Sequence, residues 1–193
     1  MNRSDRLGQG CVDPCVEDDT PSWTPNGNRI VFQRVVGPSP DDIATSAVLY
    51  TAKADGTDVR RLSPPGIDGI YEDAFPKFSP NGKYLVFVRG RNSDGHNALF
   101  RMNPDGIDMR QLTPWELDAD VPGISPVDNG PTRDLVVFET FGHGANPPET
   151  QKIATVPATC TSVTDCTNKI SYTTPNATLS RWSQQSDPSL RPR

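Results

Sequence analysis

The stretch Phe75-Pro76-Lys77-Phe78-Ser79-Pro80-Asn81-Gly82-Lys83-Tyr84-Leu85-Val86-Phe87 has a partner earlier in the chain. That partner is Thr20-Pro21-Ser22-Trp23-Thr24-Pro25-Asn26-Gly27-Asn28-Arg29-Ile30-Val31-Phe32, at an offset of 55 residues. In each copy a proline presets φ at the second position of a turn, and a glycine takes the last position. The run Tyr84-Leu85-Val86-Phe87-Val88 is aromatic and β-branched with no polar alternation. A strand buried on both faces reads that way. A looser third copy begins at Val121-Pro122-Gly123-Ile124-Ser125-Pro126 and reaches Asp134-Leu135-Val136-Val137-Phe138 after a longer loop, Val127 to Arg133. Leu179-Ser180-Arg181-Trp182-Ser183 reads as the start of a fourth.

The second half of the unit repeats as well. Leu49-Tyr50-Thr51-Ala52-Lys53-Ala54-Asp55-Gly56 continues to Leu62-Ser63, and Leu99-Phe100-Arg101-Met102-Asn103-Pro104-Asp105-Gly106 continues to Leu112-Thr113, at an offset of 50. The difference between the two offsets falls in the loop from Val36 to Ser46, where insertions cost little. In the second unit the pattern predicts strands over Asp73–Phe78, Lys83–Arg89, Ala98–Asn103 and Asp108–Leu112. No segment sustains a 3.6-residue period, and Pro or Gly interrupts every ~10 residues, so helices are not expected.

Four antiparallel strands in about 50 residues make one propeller blade, which cannot bury both its faces alone. The expected fold is therefore all-β: a partial β-propeller of about three four-stranded blades plus a fragment of a fourth. Blades are expected over about 18–63, 72–113 and 119–173, with a partial one at 177–193 and an extension carrying a cysteine pair at 1–17. Trp23, Phe78 and Trp182 are expected to fill the spaces between blades, with Ile124 in that role in the third copy.

The 193 residues carry a formal charge of −5, with 20 prolines and 15 glycines. That Pro and Gly load fits many tight turns. Basic residues come at most in pairs such as Arg60-Arg61, which argues against a nucleic-acid partner. No apolar run approaches the ~20 residues of a membrane span. Met1 to Gly10 is polar and lacks the apolar centre of a secretion signal.

The two motif pairs resemble the WD-like propeller repeat of the TolB type. They stand here as Pro21-x-Trp23-Thr24-Pro25-Asn26-Gly27 and Pro76-x-Phe78-Ser79-Pro80-Asn81-Gly82, with the hairpins Asp55-Gly56…Leu62-Ser63 and Asp105-Gly106…Leu112-Thr113. The resemblance covers residues 18 to 140 well and 141 to 193 weakly. It implies a non-catalytic module that binds a protein or peptide in a periplasmic or secreted setting, with a cytoplasmic location left open. Its alternative is the gating propeller of a prolyl-oligopeptidase- or tricorn-type peptidase whose catalytic domain is absent from this sequence. The third copy departs from the pattern by lacking Asn/Asp-Gly at the usual spacing.

No enzyme chemistry is expected. There is no G-x-S-x-G elbow, and the two histidines, His96 and His143, read as loop residues with no third group to orient them. Candidate rim or channel residues are the recurring acids Asp18, Asp19, Glu72, Asp73, Asp118 and Asp120, together with Arg34 and Arg89, which recur after the second strand. Converging carboxylates would bind a basic segment or Ca²⁺, or would keep the rim soluble; no spacing matches a calcium loop, so no metal and no cofactor are expected. The arginines would pair with these acids or cap a strand edge. Cys11 with Cys15 and Cys160 with Cys166 would form local disulfides; a Cys₄ zinc site and free thiols are the other readings. Three blades are fewer than the 4 to 8 that close a ring, so the sequence reads as a fragment, a short gene product or half of a ring completed by a second copy, with dimerisation or poor solubility expected from the apolar end faces of an open stack.

Overall fold

A computed structural model describes residues 15–37, 45–141 and 151–173. Twelve strands form three blades among them. Blade 1 comprises β1 (Cys15–Trp23), β2 (Arg29–Gly37), β3 (Ser46–Lys53) and β4 (Arg60–Arg61). Blade 2 comprises β5 (Tyr71–Phe78), β6 (Leu85–Arg91), β7 (His96–Met102) and β8 (Arg110–Gln111). Blade 3 comprises β9 (Ala119–Ile124), β10 (Leu135–Thr140), β11 (Lys152–Pro157) and β12 (Ser171–Tyr172). Within each blade the strands pair antiparallel in sequence order. Blades 1 and 2 are stitched by one parallel bridge, Ala47 to Glu72. Cys11, His143, Trp182 and the expected fourth blade lie outside the described residues, and nothing is described of the Cys15 side chain.

The turns form as their residues dictate. Gly27 N–H donates to Thr24 C=O and Gly82 N–H to Ser79 C=O, both at 2.9 Å. The Asn26 and Asn81 carboxamide oxygens accept from the amides two residues on, at 3.1 and 3.0 Å. The Thr24 and Ser79 hydroxyls each donate to the carbonyl five residues on, at 2.9 Å. The third blade keeps only the backbone part, Ser125 N–H to Leu135 C=O at 2.9 Å.

Two apolar layers lie between the blades. Val31, Leu49 and Leu62 of blade 1 cluster with Leu85, Phe87 and Met102 of blade 2. On the other side of blade 2, Val86, Val88, Leu99 and Leu112 cluster with Val136, Phe138, Ala154 and Val156 of blade 3. Strand β6 thus buries alternate residues in opposite directions, as its unbroken apolar run predicts. Phe78 and Ile124 pack against these layers as expected. Trp23 does not: it is 60% exposed. Trp23 pairs with Ile30 as Phe78 pairs with Leu85, so it stands on the face of blade 1 turned away from blade 2.

Three details differ from expectation. Strand β1 starts at Cys15, inside the expected extension, because its ladder with β2 continues to Gly37. His96 opens strand β7 opposite Arg91 instead of sitting at a loop tip. Helix α1, Val163–Thr167, is too short to show a period; the Ser162 hydroxyl caps it by accepting from Asp165 N–H at 3.1 Å. A disulfide joins Cys160 to Cys166 with Cα atoms 5.2 Å apart. Both cysteines are buried in the layer between blades 2 and 3.

The turns after β3 and β7 hold Gly56 and Gly106 at φ +83° and +85°. A Cβ on Gly106 would sit 2.4 Å from the Leu62 carbonyl oxygen of blade 1, whereas one on Gly56 meets nothing within 4 Å. Left-handed backbone costs an L-residue about 1–2 kcal/mol. Gly56→Ala is expected to cost that much in chemical denaturation. Gly106→Ala should cost about 1–3 kcal/mol more, from overpacking against the neighbouring blade. Equal losses in the two variants would contradict the stacking contact.

Candidate recognition site on the inner strands

The first strands of the blades lie side by side, β1 beside β5 and β5 beside β9. In a propeller this is the layer around the central channel. Each of these strands is broken by a bulge at the same place. The register slips between Asp19 and Ser22 in β1, and between Ala74 and Lys77 in β5. The β9–β10 ladder slips likewise. Thr20, Phe75 and Val121 adopt φ of +47°, +51° and +47°. Each precedes a proline, and the three prolines correspond: Pro21, Pro76 and Pro122. A β-branched or bulky residue at positive φ is an outlier costing about 1–3 kcal/mol.

Different partners hold the three bulges. Thr20 N–H donates to Asp19 Oδ1 and Val121 N–H to Asp120 Oδ1, both at 2.7 Å. Blade 2 has Ala74 at that place, and Phe75 N–H donates instead to Thr20 Oγ1 at 3.3 Å, linking two bulges across the blades. Phe75 and Val121 remain exposed, as do Asp19 and Glu72, while Asp120 is half-buried. The sequence reading missed Thr20, Phe75 and Val121. The available signal was a proline recurring inside a strand, where bulges are the usual accommodation.

The structure divides the remaining candidates. Arg89 forks onto Asp73 at 2.7 and 2.8 Å, with side-chain exposures of 7% and 0%. Asp73 also accepts from the Ser63 hydroxyl of blade 1 at 2.7 Å. The Arg89 guanidinium lies 5.0 Å from the Phe100 ring centre and 5.2 Å from that of Tyr71. Asp73 and Arg89 are therefore inside the blade interface and offer nothing to a ligand at the rim. Arg34 and Asp18 make the same fork at 2.7 Å, but at 25% and 44% exposure. Asp118 is buried and accepts from Asn97 N–H at 2.9 Å. In blade 3 Ala119 stands opposite Thr140, where the other blades carry the Asp–Arg pair. The six acids lie within the first strands or at their threshold, and those left open at the channel are Asp19, Glu72 and Asp120.

Burial, followed by the charges of Asp118 and Glu139, pushes the Asp120 carboxyl above the usual carboxylate range, against the bond from Val121 N–H. Glu139 in turn accepts a hydrogen bond from the Gln151 side chain. Among the described residues no three His, Cys, Asp or Glu side chains are grouped to hold a metal ion. A groove of about 830 Å³ lies between the turns of blades 1 and 2, lined by Thr24–Gly27, Lys53–Asp55, Asn81, Gly82 and Pro104 among others. The Asn26, Asp55 and Asn81 side chains in it accept from amides of their own turns.

No protein-family model matches the chain. Its fold is similar to that of a protein provisionally assigned as TolB from Agrobacterium tumefaciens (TM-score 0.58, 18% identity, 81% of this chain and 48% of that one). It is also similar to TolB from Acinetobacter baumannii (TM-score 0.53, 15% identity, 86% and 33%). The chain has a TolB-like propeller fold. A prolyl endopeptidase shares it too (TM-score 0.54, 16% identity, 89% and 24%). In sequence, the chain is 26% identical over 135 residues to the uncharacterized peptidase YuxL of Bacillus subtilis strain 168. That match takes in 68% of this chain and 19% of YuxL. The chain thus spans about a fifth of the curated relative and half or less of the solved structures.

Two outcomes follow from the electrostatics. Asp73→Asn breaks a buried pair and is expected to cost about 3–5 kcal/mol in chemical denaturation. Asp18→Asn, at the equivalent exposed pair, should cost under about 1 kcal/mol. The raised Asp120 carboxyl binds its proton more tightly folded than unfolded. Its contribution to stability is therefore complete below the unfolded value and is lost as pH rises through the folded one. Asp120→Asn keeps the acceptor for Val121 and removes the charge. It should raise Tm at pH 7, and the gain should shrink towards about pH 4.

Proposed function

We propose that this chain is a non-catalytic protein- or peptide-binding propeller module, TolB-like, working outside the cytoplasm. The observation that carries this reading is the row of bulges at Thr20, Phe75 and Val121. Strain repeated at equivalent positions in three blades is the kind that a functional surface retains. Bulges also turn a free strand edge away from indiscriminate strand addition, which leaves recognition to side chains. Those side chains combine apolar Phe75 and Val121 with the acids Asp19, Glu72 and Asp120, a surface suited to a segment carrying both apolar and basic residues. The Cys160–Cys166 disulfide supports an oxidising compartment. No helix among the described residues is long and apolar enough to cross a membrane.

The second reading is a gating propeller from a peptidase of the prolyl-oligopeptidase or tricorn type. The sequence likeness to YuxL and the shared fold with a prolyl endopeptidase favour it. A hydrolase domain encoded in the same reading frame would decide for it.

The test of the first reading is an NMR titration of the labelled chain with a library of short peptides containing Lys or Arg beside Leu or Phe. Amide shifts should concentrate at residues 19–20, 72–75 and 120–121. Each of Asp19→Asn and Glu72→Gln should weaken binding several-fold, and salt at roughly 0.5 M should weaken it further, because exposed charges are screened. Shifts confined to another surface, or no saturable binding, would refute the assignment.

A further inference from the structure

The two interfaces of blade 2 are held by different chemistry. Towards blade 1, the buried Asp73–Arg89 pair is completed across the interface by Ser63. Towards blade 3, Ala119 and Thr140 stand where that pair would be. The charged tie is there Arg101, whose guanidinium lies 4.5 Å from the Tyr84 ring centre and donates to the Ala158 carbonyl at 2.7 Å. Ala158 follows β11 directly, and its N–H donates to the Asp134 carbonyl at 2.8 Å. Asp134 in turn accepts from the Tyr84 hydroxyl. The bonds from Arg101 and Tyr84 thus land on Ala158 and on the residue that holds it.

The segment leading away from Ala158 has little to hold it except the Cys160–Cys166 disulfide. Cys160 and Cys166 are the buried residues between Thr159 and Lys169, and they share the apolar layer with Ala158, Tyr84, Leu99 and Leu112. Thr159, Thr161, Ser162 and Thr164 are exposed. Helix α1 has five residues, far below the ~12–15 at which a helix begins to stand without outside support. Both cysteines belong to this one segment, six residues apart, so local opening of the segment reaches the bond without unfolding either blade. We propose that the disulfide is a redox-operated lock on the interface between blades 2 and 3. Oxidised, it holds Ala158 in place for Arg101. Reduced, it lets the segment from Ala158 to Ile170 open while the interface between blades 1 and 2 stays closed. In closing the lock, one cysteine thiolate attacks a disulfide oxidant such as oxidised glutathione and expels one thiol. The second cysteine then displaces the other thiol from the mixed disulfide. Two protons and two electrons leave the protein, and the oxidant departs as two thiols. The lock is therefore set in an oxidising compartment and released in a reducing one. A bond across so short a loop makes the open forms rarer by about fiftyfold.

Amide hydrogen exchange on the full 193-residue chain, oxidised and then reduced with dithiothreitol, tests this. Reduction should lower protection about tenfold to fiftyfold at the hydrogen-bonded amides of Ala158, Cys160, Cys166 and Lys169. The amides of Leu49 and Leu62, bonded in blade 1 beside blade 2, should change less than about twofold. Oxidised glutathione should restore the first pattern. Cys160→Ser/Cys166→Ser should show the loosened pattern with or without reductant. Cys11→Ser/Cys15→Ser should respond as the wild type does, which sets aside the N-terminal cysteines as the source. Unchanged protection on reduction would overturn the proposal, as would a bond that dithiothreitol cannot reduce in the native chain. So would equal losses at both interfaces, a response abolished by Cys11→Ser/Cys15→Ser, or a Cys160→Ser/Cys166→Ser chain that does not fold, since the reduced state must keep blades 1 and 2 together.

Discussion

Leu85 and Phe87 of strand β6 pack into the layer shared with blade 1, while Val86 and Val88 pack into the layer shared with blade 3. Burying one such side chain is worth about 1.5–3 kcal/mol, and none of these burials exists in an isolated blade. Blade 2 is thus stable only between its neighbours. The same demand fixes the geometry elsewhere. Turns must stack so that Gly82 meets Pro25 and Gly106 meets Leu62. Connections must bring each first strand beside the preceding blade, as the Ala47–Glu72 bridge between β3 and β5 does for blades 1 and 2.

The polar part of the interfaces changes from blade to blade. Between blades 1 and 2, Ser63 accepts from Leu49 N–H at 2.9 Å and donates to Asp73, which holds Arg89. A buried ion pair repays its desolvation only when such additional bonds complete it, and here they cross the interface. Between blades 2 and 3, Thr113 still accepts from Leu99 N–H at 2.8 Å, but Ala119 and Thr140 stand where the charged pair would be. That interface is secured otherwise. Arg101 of blade 2 donates to the Ala158 carbonyl at 2.7 Å, and Tyr84 donates to Asp134 at 2.8 Å. Burial and the Asp134 carboxylate push the Tyr84 phenol up, keeping it a donor.

The parts of the fold legible in the sequence are those set by local chemistry and repeated. Asn-Gly corners, Asp-Gly hairpins and the apolar run from Tyr84 to Val88 each carry one structural consequence, and their recurrence fixed the blade. The Asp–Arg pairing was legible as an offset shared by acid and base. Which pair is buried was not, because exposure depends on what lies against the blade: Asp73 has Ser63 over it, and a groove lies open beside Asp18. The same reason misplaced Trp23, whose sequence context equals that of Phe78. Helix α1 and strand β12 escaped notice because five and two residues are too few to show a period.

The placement of the inner-strand residues follows from the same accounting. Each blade commits the broad faces it turns to its neighbours to stacking. Its outermost strand is two residues long in all three blades. The Asn and Asp side chains of its corners are engaged in bonding their own turns. What stays free to vary without unpacking the stack is the inner strand on its channel side. There the register slips, and there the chain keeps Thr20, Phe75 and Val121 in a backbone conformation that glycine would adopt at less cost. Packing alone would favour glycine at all three positions. The retention of three different side chains, in one apolar and acidic neighbourhood, is the feature that stacking does not explain.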